Sequence, residues 1–214
     1  MKILNSIIKL LVVLIVITAA TGFETLYGQT DWKLEKDQDD IQVYSKILKD
    51  SKFKSLKVTC KLQCTPVELT SVIMDVENSC KWVYHTQNCK LLKKLSPAEL
   101  YYYAEVSVPW PVSNRDYVVH ITSTKPDDQT TIINSNCVAG WIPLSDKKVR
   151  IVNSSGMWRI EKQKNDLVNV TYTTEIDPGG SVPTWLINLF AAQGPLESFK
   201  KLKLEVRNLH NSHL

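Results

Sequence analysis

Residues 183–208, PTWLINLFAAQGPLESFKKLKLEVRN, decide the fold. Leu186, Leu189 and Phe190, then Phe199, Leu202 and Val206, recur at three- and four-residue steps, while Lys200, Lys201, Lys203 and Glu205 take the opposite, wet side. Pro183 opens this helix, and the Gly194-Pro195 step removes one amide donor within it, so a kink or a two-part helix is expected. Almost everything between Thr86 and Asp177 has a different period. The spans 88–95, 100–108, 116–125, 130–138, 149–162 and 167–177 read as strands. Pro126-Asp127-Asp128 and Asn165-Asp166 make short turns between antiparallel neighbours, and Gly156 is expected to mark a bulge. One amphipathic helix following such a run can bury its apolar side only against the sheet. The fold class is therefore α+β.

Working back toward the N-terminus, Thr65 followed by Pro66 and Glu68 has the form of a helix start, and Val67, Val72, Ile73 and Val76 give that helix an apolar side. Before it, 41–47 and 55–63 alternate as a first hairpin. Residues 31–36, with Trp32, read as a short helical or irregular lead-in.

The N-terminus carries Lys2 and Lys9, then an apolar run from Leu10 to Ala20 interrupted only by Thr18, then small and polar residues to Gly28. Such a run rises only ~16 Å as a helix against a hydrocarbon core of ~30 Å, so residues 1–28 are expected to be a cleaved export signal. The mature domain is then 29–209, with a polar tail at 210–214, in the periplasm or outside the cell. If the leader is retained, it anchors the domain to a membrane. In the whole chain of 214 residues, 43% hydrophobic and 22% charged, disorder is ruled out and one packed core is expected. A net charge of +4 spread evenly gives no nucleic-acid footprint, and a monomer is expected.

Five cysteines, at 60, 64, 80, 89 and 137, contain no C-x-x-C pair and match no metal-site spacing. Cys60 and Cys64 share a strand face and read as small buried hydrophobes. In an oxidising compartment Cys80 and Cys89 can bridge, which the sequence alone leaves open, and the odd count leaves at least one thiol free. The four histidines are scattered, Glu105 and Glu175 sit singly on strands, and no nucleophile elbow, zinc helix or phosphate loop is present. No catalytic residue, metal or cofactor is assigned.

The segment PWPVSNRD at 109–116, followed by YVVHITST, resembles the central signature of the steroidogenic acute regulatory protein-related lipid transfer (START) family. DWKLEKDQDDIQVYSK and TPVELTSVIMDVENSCKW upstream, and SSGMWRI, VTYTTEIDPGG and VPTWLINLFAAQGP downstream, are similar to further family motifs in the same order. The resemblance spans about residues 31–208 and implies a helix-grip fold: a curved antiparallel sheet wrapped around the C-terminal helix, enclosing a tunnel for one lipid.

On that resemblance Tyr102, Ala104, Val106, Val119 and Ile121 are expected to line one face of the tunnel, with Leu186, Phe190, Phe199 and Leu202 on the helix. The acid and arginine of sterol-carrying relatives are replaced here by Tyr102 and Ile121, which leaves only the Tyr102 phenol to orient a head. The loop at 139–148 corresponds to a lid. Its Trp141 is read either as a membrane contact, with Lys147, Lys148 and Arg150 beside it for anionic headgroups, or as a plug between sheet and helix. Arg115 and Asp116 are read as structural. The partners implied are a hydrophobic small molecule and, transiently, a membrane surface. An aromatase- or cyclase-like enzyme and a hydrophobic-ligand sensor are the alternatives within the same fold.

Overall fold

The computed structural model describes residues 32–47 and 54–212; the expected leader and the last two residues of the tail lie outside them. The strands are β1 (Lys33–Gln38), β2 (Ile41–Ile47), β3 (Lys54–Gln63), β4 (Thr86–Ser96), β5 (Glu99–Val106), β6 (Asn114–Thr124), β7 (Thr130–Cys137), β8 (Lys148–Arg150), β9 (Ser154–Lys162) and β10 (Leu167–Ile176). Two α-helices complete the set, α1 (Pro66–Met74) and α2 (Thr184–Ser212), with a short 3-10 turn at Ser79–Lys81. One sheet runs in the order β1-β2-β3-β10-β9-β7-β6-β5-β4, antiparallel throughout, with β8 attached in parallel to β6. The sheet curves and α2 packs against it, the expected helix-grip arrangement.

The turns form where the chain tolerates a left-handed backbone. Asn165 and Asp166 take φ of 58° and 50° between β9 and β10, and Asp39 and Asp40 take 57° and 61° between β1 and β2. Asn and Asp adopt this region more readily than other residues bearing a Cβ. At the start of α1 the Thr65 hydroxyl accepts from the Glu68 N–H at 3.2 Å, and the Glu68 carboxylate accepts from the Thr65 N–H at 2.7 Å. That reciprocal cap satisfies two donors a helix start would otherwise leave open.

Several expectations are corrected. The lead-in is an edge strand: KLEKDQ has no apolar alternation because β1 is almost wholly exposed, and a charged edge discourages further pairing. The buried apolar residues are Leu69 and Ile73 on α1 and Val76 just beyond its end, whereas Val67 is exposed. The span read as one strand over 149–162 is two, because β8 crosses to β6 and only from Ser154 does the chain pair with β7 and β10. Gly156 carries no bulge, since both its ladders keep register through it. α2 is continuous through Gly194-Pro195 and runs to Ser212, into the segment expected as tail.

The closed part of the core lies between the second half of α2, the hairpin β2–β3 and α1. Leu202 and Val206 meet a layer that includes Val43, Val58, Leu62 and Leu69, all almost completely buried. Beyond it the helix lysines reach the first turn, with Lys200 Nζ 3.3 Å from the Asp39 carboxylate and Lys203 Nζ donating to the Asp39 carbonyl at 3.2 Å.

Candidate functional site

A cavity of about 350 Å³ opens between the concave face of the sheet and the first half of α2. Small side chains create it. Ser135, Gly156 and Thr174 are cross-strand neighbours on β7, β9 and β10, all lining the cavity. A Cβ on Gly156 would come within 2.6 Å of Ser135 Oγ and 3.1 Å of the Tyr172 hydroxyl, so the glycine serves close approach rather than irregular backbone.

Seven of the ten residues assigned from sequence line this space: Tyr102, Val106, Val119, Ile121, Leu186, Phe190 and Phe199. Three do not. Ala104 is fully buried but does not border the space; it sits two residues from Tyr102 along its strand, with Tyr117 opposite. Leu202 lies one turn beyond Phe199 and belongs to the closed core. Trp141 is on the other side of the sheet: its ring stacks on Tyr101 at 4.0 Å, and Tyr101 in turn stacks on His120 at 4.4 Å. Tyr101 and Tyr102 are adjacent on one strand and so face opposite ways.

The expected lid is therefore fastened to the convex face. Arg150 donates to both carboxylate oxygens of Asp116, at 2.7 and 2.9 Å, and to the carbonyls of Ile142 and Pro143. Lys148 pairs with Glu105 and with the Tyr103 hydroxyl. Burial raises the Glu105 carboxyl, but hydrogen bonds from Lys148 and Tyr103 outweigh it and hold it below the usual range; Asp116 holds the Arg150 guanidinium above its own. Lys148 and Arg150 are thus internally paired, contrary to the headgroup role expected of them. Arg115 donates to the carbonyls of Ser113, Pro178 and Gly179, tying the start of β6 to the segment after β10.

The sequence reading passed over an aromatic group in the same wall. Trp158 lies 4.4 Å from Tyr172 and 5.2 Å from Phe199, with Trp82 edge-on to Trp158 at 6.2 Å. Tyr117 is edge-on to Tyr102 at 6.3 Å. Tyr117 had a signal, because it alternates in phase with Val119 and Ile121. Trp82 had none, since the turn that carries it has no period. It is held beside β4 by a disulfide between Cys80 and Cys89, the pair the sequence left open. Cys60 and Cys64 are buried as expected, with burial pushing both thiols up to about 12.

Chemically the wall offers apolar contact and a few neutral hydrogen-bonding groups. Burial raises the Tyr102, Tyr117 and Tyr172 phenols, and the Cys137 thiol to about 11, so all stay protonated near neutral pH. No carboxylate or histidine lines the cavity among the described residues, nor do three His, Cys, Asp or Glu side chains gather as metal ligands there. The arrangement can enclose and orient a molecule.

Comparison with known proteins agrees with this geometry. The chain is 34% identical over 173 residues to an uncharacterized protein of Pseudomonas aeruginosa, covering 81% of this chain and 85% of that one. It is 28% identical to the phosphatidylcholine transfer protein of Mus musculus, covering 84% and 86%. The solved structure of a STAR-related lipid transfer protein from Xanthomonas axonopodis superposes with a TM-score of 0.76 at 33% identity, covering 83% of this chain and 99% of that one. The START domain family matches residues 24–212, and the chain belongs to that family, whose relatives named above include two lipid transfer proteins.

Proposed function

We propose that the protein holds a single hydrophobic lipid-like molecule in the cavity beneath the first half of α2 and carries it between membranes without chemical change. The observation that carries this reading is the cavity itself, apolar over most of its wall and roofed by Leu186, Phe190 and Phe199. Left dry, about 350 Å³ would cost on the order of 8 kcal/mol by the core-cavity coefficient, comparable with the whole stability of a domain. An occupant removes that cost. A sixteen-carbon chain also gives up roughly 13 kcal/mol on leaving a membrane for water, so a carrier must replace the apolar surroundings.

The membrane contact is assigned to the rim in place of Trp141. Trp110 is 91% exposed, two residues past the wall residue Val108, and Trp185, 55% exposed, directly precedes Leu186. Aromatic rings of this kind favour the membrane–water interface. Action in the periplasm or outside the cell, which rests on the leader pattern, and a monomeric state complete the reading.

The test is transfer of a fluorescent lipid from donor to acceptor vesicles, beside native mass spectrometry of the purified protein. One retained lipid per chain and transfer slowed by Trp110→Ala at unchanged binding are expected. A chain that retains no lipid from any vesicle and does not accelerate exchange sinks the reading. Tight retention without exchange leaves the sensor alternative, and turnover abolished by Tyr102→Phe replaces carriage with catalysis.

A further inference from the structure

Resting on that reading, we propose that the part of the cavity away from Lys54 and Arg115, beside Tyr102, takes the uncharged polar end of its lipid, a head made of hydroxyl or carbonyl oxygens, and excludes an ionised phosphate or carboxylate. Of the described residues lining the cavity only Lys54 and Arg115 are charged, and both stand at the end of the sheet where β10 finishes. Arg115 is committed to three backbone carbonyls, and Lys54 Nζ lies 3.8 Å from Glu35. No cation waits deeper in.

What does wait there is neutral. Tyr117 is engaged with Thr86, Tyr172 with Thr174, and Ser135 donates to the Gly156 carbonyl at 3.3 Å. One group is left over. The Tyr102 hydroxyl, on a partly accessible side chain that lines the cavity, makes no hydrogen bond with the described residues. The Trp82 indole N–H has no acceptor among the described residues either, but protein closes it off and it offers the cavity no donor. A donor left open costs about 1–3 kcal/mol, which an oxygen on a ligand offsets. An ionised head placed beside Tyr102 would meet one neutral hydroxyl and no counter-charge, and desolvating it costs several kcal/mol that this hydroxyl does not return. An open hydroxyl without a cation matches alcohol or ester oxygens.

The experiment uses the whole mature chain, stripped of lipid and incubated with mixed vesicles containing equal amounts of dioleoylglycerol and dioleoylphosphatidylcholine, with oleate at pH 8 as a third arm. Retained lipid is read by native mass spectrometry. Dioleoylglycerol should be retained at least about tenfold over both charged lipids. Tyr102→Phe, which keeps the ring, should lower that retention about two- to tenfold without lowering the unfolding midpoint of the lipid-free protein. Retention of phosphatidylcholine or oleate equal to the diacylglycerol overturns the proposal while leaving lipid carriage intact. Retention of no lipid at all overturns carriage and this proposal together.

Discussion

Leu186 and Phe190 stand four residues apart on α2, as do Leu202 and Val206, yet the first pair borders a cavity and the second is sealed in the core. What differs is the surface opposite. The second half of the helix meets β2, β3 and α1, where Val43, Val58, Leu62 and Leu69 fill the space. The first half lies over the part of the sheet where Ser135, Gly156 and Thr174 keep the wall low. Helix periodicity says which side is buried. The volume of the residues facing that side says whether the burial is against protein or against room for something else.

The contrast can be broken most sharply with matched truncations. Leu202→Ala should lose about 3 kcal/mol, within the ~2–5 kcal/mol usual for such a change in a packed core, whereas Leu186→Ala in the lipid-free protein should lose about 1 kcal/mol, because its neighbourhood is already open. Denaturant midpoints measure both, and equal losses would mean that the cavity collapses in solution. Next, lipid at a hundred times its dissociation constant should stabilise the protein by about 2.7 kcal/mol. Amide exchange should slow in 184–199, with the sealed half protected before and after. Protection gained equally along the helix would erase the distinction.

A plug sharpens the comparison further. Gly156→Leu should abolish lipid retention at a stability cost of about 1–2 kcal/mol, the rotatable Ser135 hydroxyl giving way. Undiminished retention would move the ligand elsewhere.

The smallest expected effect belongs to the sealed half. Burial raises the Glu68 carboxyl, but the Thr65 N–H and His210, 3.1 Å away, outweigh it and hold it below its ordinary 4.5. A depressed carboxyl contributes stability that is fully present above 4.5 and fades as pH falls through the folded value. Glu68→Gln should therefore cost about 1 kcal/mol at neutral pH, lose most of that difference in acid, and leave lipid retention unchanged. A pH-independent loss would assign the effect to shape rather than charge.

Much of the fold is legible in the chain. Alternation locates β2, β3, β4 to β7, β9 and β10, the Thr65 cap starts α1, and three- and four-residue spacing gives α2. Where the reading failed, a different force decided. β1 is polar on both faces and is held by its ladder to β2, so no apolar pattern announces it. β8 is drawn across β6 beside the Arg150–Asp116 pair, a contact between residues far apart in sequence. Trp141 reads equally as a membrane contact or as a plug against the helix until its ring is seen stacked on Tyr101 on the convex face, with His120 on the far side of Tyr101. Of the site, the strand and helix positions in phase with their neighbours were legible. Trp82 and the row of small residues were not, because a cavity wall and a filled core share one periodicity.

Trp82 follows a turn of three residues, Ser79–Lys81, too short to hold its place by its own backbone bonds. The Cys80–Cys89 link supplies the missing anchorage by closing a nine-residue step onto β4, a constraint in the range of ~2–4 kcal/mol for the unfolded chain. Thiol chemistry in the surroundings thereby reaches one wall of the binding space: a preparation kept under reductant should present a looser indole than one folded in air, from an identical sequence.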